Sequence, residues 1–551
     1  MKRTRHIVIV GGGFSATATA IALLSQASAD VPLRVTLIHA RSGSGLKPGP
    51  GLAYGFDDDN LLLNVPAGNM SLFVQEPDHF VRYCQSIDPA ISPASFVARR
   101  LYGQYLQDTL AQTRQAHPER LAFQPGTVVA LRALTDFSGS GPQSDHGRWQ
   151  VVLADAEPLT ADHVVLATGH HRPVLPRALA LQMKDARLPD NAVIDPWDFA
   201  AMQRLPAGKP VLVLGTGHTA VDAAFCLTRC EPSRQVVLVS RHGYLPEPHR
   251  LTPQSPVAGA FRDDLQRMLL VDPELRTVRH YLRAVHKLIL SSQANEVDWR
   301  DVLNALRPYT PEIWQSLSVS ERRRFMRHLG ARWDAHRHRL APVAAQRMRR
   351  LIATGGVRVI AGHVTSLQRV HRHSDAVCEA SASAVTRTAG VDRADPGSGL
   401  AVQIQPRGVS EHQVLEISGL VNCTGPATAI DESANPLLVS LARSGQVLPD
   451  PLGLGLMVTP QLQVLDNRQV PVPGLWYVGP WLKACYWEAT AVPELRVHAA
   501  RLAQNLLSDV HQPTADLLSH PTDQARQTDG RDDLASWSVG ESSTNHTTSH
   551  A

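Results

Sequence analysis

The sequence predicts an α/β protein built from two doubly wound nucleotide-binding units with a helical insertion. Three observations predict it. Twice in the chain an apolar strand runs into Gly-x-Gly-x-x-Ala and then a helix-compatible stretch and a second strand, once in "HIVIVGGGFSATATAIALL" from His6 and again in "KPVLVLGTGHTAVDAAFCL" from Lys209. Two further apolar strands, "HVVLATG" and "GLVNCTG", end alike in Thr-Gly. Between the second unit and the C-terminal region, about 255–350, the pattern turns helical and charged, with Trp299, Trp314 and Trp333.

In the first unit His6 to Val10 reads as a strand, Ser15 to Ala27 as a helix and Leu33 to His39 as a second strand, a βαβ start of Rossmann type. Gly11 supplies the tight turn, Gly13 the close backbone approach to a pyrophosphate, and Ala16 the close helix packing, with Phe14 and Ser15 opening the helix on whose N-terminus the pyrophosphate sits. The competing reading of the same stretch is a secretion signal, since it has basic residues, an apolar run and an Ala-Ser-Ala end. A triple glycine inside the apolar run argues against it, and the repeat of the pattern at Gly215-x-Gly217-x-x-Ala220, with His218 and Thr219 opening the helix, makes coincidence a poor explanation.

The residue expected to hold the adenosine ribose is a carboxylate at the end of the second strand, but His39 stands there. In the second unit the matching strand ends Ser240-Arg241-His242, a cation where a 2′-phosphate would lie, which favours NADPH over NADH. The alternative is a solvated Arg241.

At 551 residues two or three domains are expected, and 43% apolar residues suffice to build them. No apolar stretch reaches the roughly 20 residues needed to span a bilayer. The formal charge of +4 with 5% aromatics gives no reason to invoke nucleic acid. Six cysteines, Cys84, Cys226, Cys230, Cys378, Cys423 and Cys485, lack CxxC spacing, which argues against a disulfide framework, a structural zinc site and a dithiol reductase. His336 and His338, two apart on a helix, point different ways, so no metal is expected. Cys226 and Cys230 fall one helical turn apart, and a buried apolar face is the plainer reading than a redox pair.

The Thr168-Gly169 and Thr-Gly425 strand ends have the form in which glutathione-reductase-type flavoproteins cross between their two dinucleotide domains. Together with "GLAYGFDDDNLLLNVPAGNMS", "VSRHGYLPEPH", "FMRHLGARWDAHRHRLAP", "DPLGLGLMV" and "GLWYVGPWLKACYWEATAVPELR", the chain from about Lys2 to Leu507 resembles the YdhS-like family of FAD/NAD(P)-binding proteins. That family is similar in layout to flavin-dependent N-hydroxylating and flavin-containing monooxygenases. The resemblance implies FAD and NAD(P)H as cofactors and places Asn64, Val65, Pro66 and Met70 beside the flavin. For Asn64 the competing reading is a structural turn. It also implies Gly479 and Pro480 at the ribityl chain, where relatives of the broader fold carry an Asp that Pro480 cannot replace as a donor. The helix that starts at Pro493 then directs its positive end at the flavin pyrimidine carbonyl. Trp487 and Glu488, just before that helix, are candidates to line a substrate pocket, with core packing as the alternative for Trp487.

The expected organisation is an FAD domain in residues 1–205 and 411–508, an NAD(P) domain in 206–410 with the insertion, and a disordered tail in 509–551. No Ser/His/Asp or paired-carboxylate constellation stands out and no catalytic side chain is assigned, which suits chemistry carried by a cofactor. The function expected is that of a cytoplasmic, NADPH-using FAD monooxygenase acting on a nitrogen or sulfur centre of a small molecule with dioxygen, needing neither nucleic acid nor a membrane. A flavin reductase without oxygen insertion, or a non-catalytic FAD/NADP redox sensor, are the alternatives.

Overall fold

A computed structural model describes residues 3–28, 30–40, 48–134, 148–185, 188, 192–251, 267–268, 272–293, 297–370, 399–430 and 435–511. Cys378 within 371–398, the start of the insertion before 267 and the tail beyond 511 lie outside these residues.

The first sheet has six strands in the order Gln463–Leu465, Pro471–Tyr477, His163–Leu166, Arg5–Val10, Leu33–His39 and Leu121–Pro125. All neighbours are parallel except the first pair. Arg5–Val10 is central, and Ile7, Val8 and Ile9 are fully buried, as a parallel strand covered on both faces must be. The helix Phe14–Gln26 covers one face and packs against the long helix Val492–His511, so the two ends of the described chain share one core. A three-stranded meander, Val128–Ala133, Trp149–Leu153 and Leu159–Ala161, is fastened to this sheet by Trp149, whose Nε1 donates to the Pro473 carbonyl at 3.1 Å.

The second sheet has seven strands, in the order Gln413–Ile417, Gly399–Pro406, Val357–Val370, Val236–Ser240, Val211–Leu214, Gly419–Asn422 and Val193–Ile194. It is parallel from Val357–Val370 onward and antiparallel through the hairpin that carries Gly399–Pro406 and Gln413–Ile417. The helix His218–Cys230 covers one face together with Pro342–Ala353, through Val221, Ala224, Ala345 and Met348.

This sheet corrects the domain limits read from the sequence. Val193–Ile194 and Gly419–Asn422 pair within it, so the chain enters the second unit well before 206 and leaves it after 411. Short strands carry little periodicity, and their sheet is decided by partners far away in sequence. The insertion is likewise shorter than 255–350, because Pro342–Ala353 is the crossover helix of the second unit. What remains is a cluster of helices, Val278–Gln293, Trp299–Leu306, Thr310–Ser316, Val319–His328 and Gly330–Arg337, with its own core. At the C-terminal end, Asp509 to His511 is helical rather than part of a tail. No described helix is long and apolar enough to cross a membrane.

Candidate dinucleotide cleft

The two Gly-x-Gly-x-x-Ala loops are built by the same contacts. Gly11 N donates to Ile38 O at 2.8 Å, and Gly215 N donates to Val239 O at 2.8 Å. In each unit the loop lies against the strand that ends in Thr-Gly, with Ala167 N donating to Val10 O (2.9 Å) and Cys423 N to Leu214 O (2.8 Å). A Cβ on Gly11 would sit 2.0 Å from the Ala167 carbonyl oxygen, and one on Gly215 would sit 2.2 Å from that of Cys423. Both glycines also have positive φ, +142° and +116°, so no side chain fits either turn.

The following glycines behave differently. Gly13 and Gly217 cap their helices in extended conformation, and a Cβ on Gly217 would meet nothing within 4 Å. On Gly13 it would meet only Gly51 Cα at 3.5 Å. Both helix N-termini are therefore open to an anion, as a pyrophosphate requires. The first is the narrower, because Pro48–Gly51 folds over it, with Gly49 N donating to Gly12 O at 2.9 Å. Phe14, Ser15 and Ala16 are buried in the first turn, and His39 lies against Gly12, where a Cβ would come within 2.6 Å of its own Cβ.

The chain crosses between the units at 167–171 and 423–427, and the crossings meet at the antiparallel bridge His171–Ala427. Thr168 Oγ1 and His171 Nε2 are buried there without a hydrogen-bond partner, polar atoms left for a bound group. Gly169 and Gly425 each turn the chain with open space where a Cβ would be. The His171 ring lies 4.6 Å from that of Trp481, tilted by 44°, just after Gly479 and Pro480, and Trp481 Nε1 donates to Ala427 O at 3.2 Å.

On the second unit's side of the seam, His218 Nε2 is 2.9 Å from His338 O, and His249 Nε2 is 2.9 Å from Asn64 O. Asn64 thus faces the partner unit with Val65 and Pro66 beside it, whereas Met70 is buried in the first core. Burial lowers His170, His218 and His249 to about 4 and His338 to about 3, so at pH 7 these rings are neutral hydrogen-bonding groups. His170 keeps an accessible edge although the cleft desolvates it. Lys483 adds a nearby positive charge that further depresses His170 and His338.

Pro493 stands in the first turn of Val492–His511, and Glu494 beside it pairs with Arg307 from the insertion. Trp487 and Glu488 were expected to line a pocket. They are 6% and 2% exposed and are packed under the insertion. Trp487 lies 4.6 Å from Trp314 and 5.0 Å from Phe325, while Glu488 is 3.2 Å from Arg337 Nε and accepts from Trp333 Nε1 at 3.0 Å. Trp314, Trp333 and Arg337 of the insertion carry the signal for this, but they lie some 150 residues or more from Trp487 and Glu488 and no local pattern pairs them. Cys226, buried on its helix face, has its thiol raised to about 12, which does not suit a redox couple with exposed Cys230. Among the described residues no group of His, Cys, Asp or Glu could hold a metal ion.

The profile of a family described as FAD-NAD(P)-binding matches residues 8–171. No curated protein matches by sequence. In fold the chain is similar to an ornithine N-hydroxylase of Kutzneria with reduced FAD, NADP+ and L-ornithine, at 15% identity and TM-score 0.55, covering 92% of this chain and 100% of that one. It is similar to L-lysine 6-monooxygenase of Pseudomonas syringae, at 15% identity and TM-score 0.56, covering 92% and 99%. It is also similar to the cadaverine monooxygenase of Erwinia amylovora bound to FAD, at 12% identity and TM-score 0.56, covering 96% and 100%. Residues 8–171 therefore match a family of FAD-NAD(P)-binding domains, and the chain as a whole has the two-domain α/β fold of these flavoproteins.

Proposed function

We propose that the chain is an FAD-dependent, NADPH-using monooxygenase that hydroxylates a nitrogen or sulfur centre of a small molecule. The observation that carries the reading is the pair of equivalent, anion-ready loops, Gly11–Ala16 and Gly215–Ala220, joined at one crossing. One loop suits FAD and the other NADPH, and the named activities of proteins with this fold favour nitrogen as the centre.

Bound flavin supplies electron transfer from NADPH to dioxygen, one oxygen atom going to the substrate and the other to water. The chain's own contribution is placement. Gly13 and Gly217 leave the two helix ends free for pyrophosphates, and Thr168 Oγ1 and His171 Nε2 offer unpartnered polar atoms between them. The helix Val492–His511 brings its N-terminus to the same region, and the helical insertion closes over Trp487 and Glu488 to keep water out. His218, held by its ring to the His338 carbonyl, and His170 and His338 are neutral at pH 7 and carry no proton to deliver.

The test is to reduce the purified flavoprotein with NADPH without oxygen, then admit labelled dioxygen with a panel of primary amines, diamines, basic amino acids and thioethers. Labelled oxygen in one product, with one dioxygen consumed per NADPH, is the expected result. Rapid NADPH oxidation that yields only hydrogen peroxide with every compound would instead favour a reductase, and a single stoichiometric oxidation without turnover a redox sensor.

A further inference from the structure

Three guanidinium groups from distant parts of the chain meet at the end of strand Val236–Ser240, at a turn tied to the second glycine loop. Thr216, between Gly215 and Gly217, donates through Oγ1 to the Tyr244 carbonyl at 2.6 Å and lies 2.9 Å from Ser240 Oγ. Gly243 N donates to the same Ser240 oxygen at 3.0 Å. On this fixed turn the His242 ring stacks on Tyr244, with centroids 5.3 Å apart and planes 17° apart.

Arg241 extends from the turn itself. Arg407, from the end of strand Gly399–Pro406, brings Nη1 to 2.9 Å from His242 Nδ1. Arg332, from the insertion helix Gly330–Arg337, sits over the Tyr244 ring at 5.8 Å. All three lower the proton affinity of His242, after burial. All three are exposed, and among the described residues none is ion-paired. Like charges gathered without a counter-charge repel one another, and an arriving anion would relieve that repulsion. The end of this strand is where a dinucleotide fold places the adenosine ribose.

We propose that Arg332 and Arg407 join Arg241 as a three-arginine receptor for the 2′-phosphate of NADPH, so that the helical insertion takes part in choosing the nucleotide. This rests on the reading of the second loop as the NADPH site, and it gives the insertion a role beyond covering Trp487. Arg332 and Arg407 would be specificity-determining residues with no part in the chemistry.

The experiment needs no flavin turnover. The full-length protein is titrated calorimetrically with 2′,5′-ADP and with 5′-AMP, as wild type and as Arg332→Ala, Arg407→Ala and the double variant, with thermal melts run alongside. Each single variant should lose roughly tenfold or more in affinity for 2′,5′-ADP, the size of one charge-assisted hydrogen bond, while 5′-AMP is unchanged. Arg332→Lys should recover part of the loss, because the charge remains. A wild type that prefers 2′,5′-ADP combined with variants that bind it undiminished overturns the inference and leaves the NADPH reading standing. Equal loss for both nucleotides also overturns it, as a structural effect. If wild type binds neither, the NADPH reading of the second loop falls with it.

Discussion

Arg99 Nη1 lies 2.8 Å from Asp222 Oδ2 across the seam between the two units, with the side chains 11% and 10% exposed. Arg99 opens the helix Arg99–Ala116 of the first unit, and Asp222 lies on the helix behind the second glycine loop. Burial raises the Asp222 carboxyl above its usual value, and Arg99 offsets part of the rise. Arg229 and Asp58, 2.6 Å apart, form a second link of the same polarity reversed.

Arg99→Met should therefore strand a buried carboxylate and cost about 3–5 kcal/mol at neutral pH. A folded-state pKa above the unfolded one means that folding favours the protonated carboxyl, so stability is present below the unfolded pKa and is lost as pH rises through the raised folded value. The variant's deficit should shrink steadily as pH is lowered from 7 toward 5. Thermal melts across that range are the measurement, and a deficit independent of pH would remove the electrostatic account.

Gly215 and Gly217 should separate folding from binding. Gly215→Ala puts a Cβ 2.2 Å from the Cys423 carbonyl oxygen at positive φ, so the variant should be insoluble or melt far below wild type. Gly217→Asp meets no atom and keeps an extended backbone, so its stability should change by about 0.5 kcal/mol or less. Its carboxylate would nonetheless occupy the helix end that a pyrophosphate needs. The expected result is a stable protein with a full flavin spectrum that NADPH no longer bleaches. A Gly217→Asp protein still reduced by NADPH at the wild-type rate would place the nicotinamide nucleotide elsewhere.

The sequence made these loops legible because their chemistry is local: strand, Gly-x-Gly, helix and strand all fall within about 35 residues in each unit. The Thr-Gly strand ends were readable for the same reason. What sequence reading missed depends on distance along the chain. Val193–Ile194 is two residues long and owes its sheet to Leu420 and Val421, and Arg407 reaches His242 from 165 residues away. Glu488 looked like a pocket residue because its type fits one, yet its partners Arg337 and Trp333 lie about 150 residues earlier on a helix whose docking face no local pattern discloses.

The field of three arginines around His242 predicts proton uptake with the 2′-phosphate. In the free protein burial, then Arg407, Arg241 and Arg332, lower the ring below its ordinary value, and Tyr244 covers one of its faces. A bound dianion cancels that field and raises the ring's pKa. Binding of 2′,5′-ADP near pH 6 should therefore take up a fraction of a proton, visible as a binding enthalpy that differs between buffers of different ionisation enthalpy. Binding of 5′-AMP should show less, and His242→Gln should lower the uptake by the ring's share, leaving the ionisation of the phosphate itself, whose second pKa is about 6.

Glu488 and Arg337 should be worth more together than apart. Both are nearly inaccessible, the carboxylate also accepts from Trp333, and burial is the main cause lowering the pKa of Arg337, against which Glu488 pulls it back. Glu488→Gln keeps an oxygen for the Trp333 Nε1 proton but leaves the guanidinium buried without a counter-charge, so it should cost about 3–5 kcal/mol. Arg337→Met removes the cation and keeps most of the side-chain volume, and alone it leaves the carboxylate equally stranded. The double variant has neither uncompensated charge and should recover most of the loss, so that a double-mutant cycle should show a coupling energy at least as large as the cost of one single variant. Because both residues hold the insertion onto the segment that precedes Val492–His511, each single variant should also become cleavable between the insertion helices under mild proteolysis while the double variant resists. Strictly additive single effects would mean that the pair does not act as a unit, and that the aromatic contacts of Trp487 with Trp314 and Phe325 hold the insertion without it.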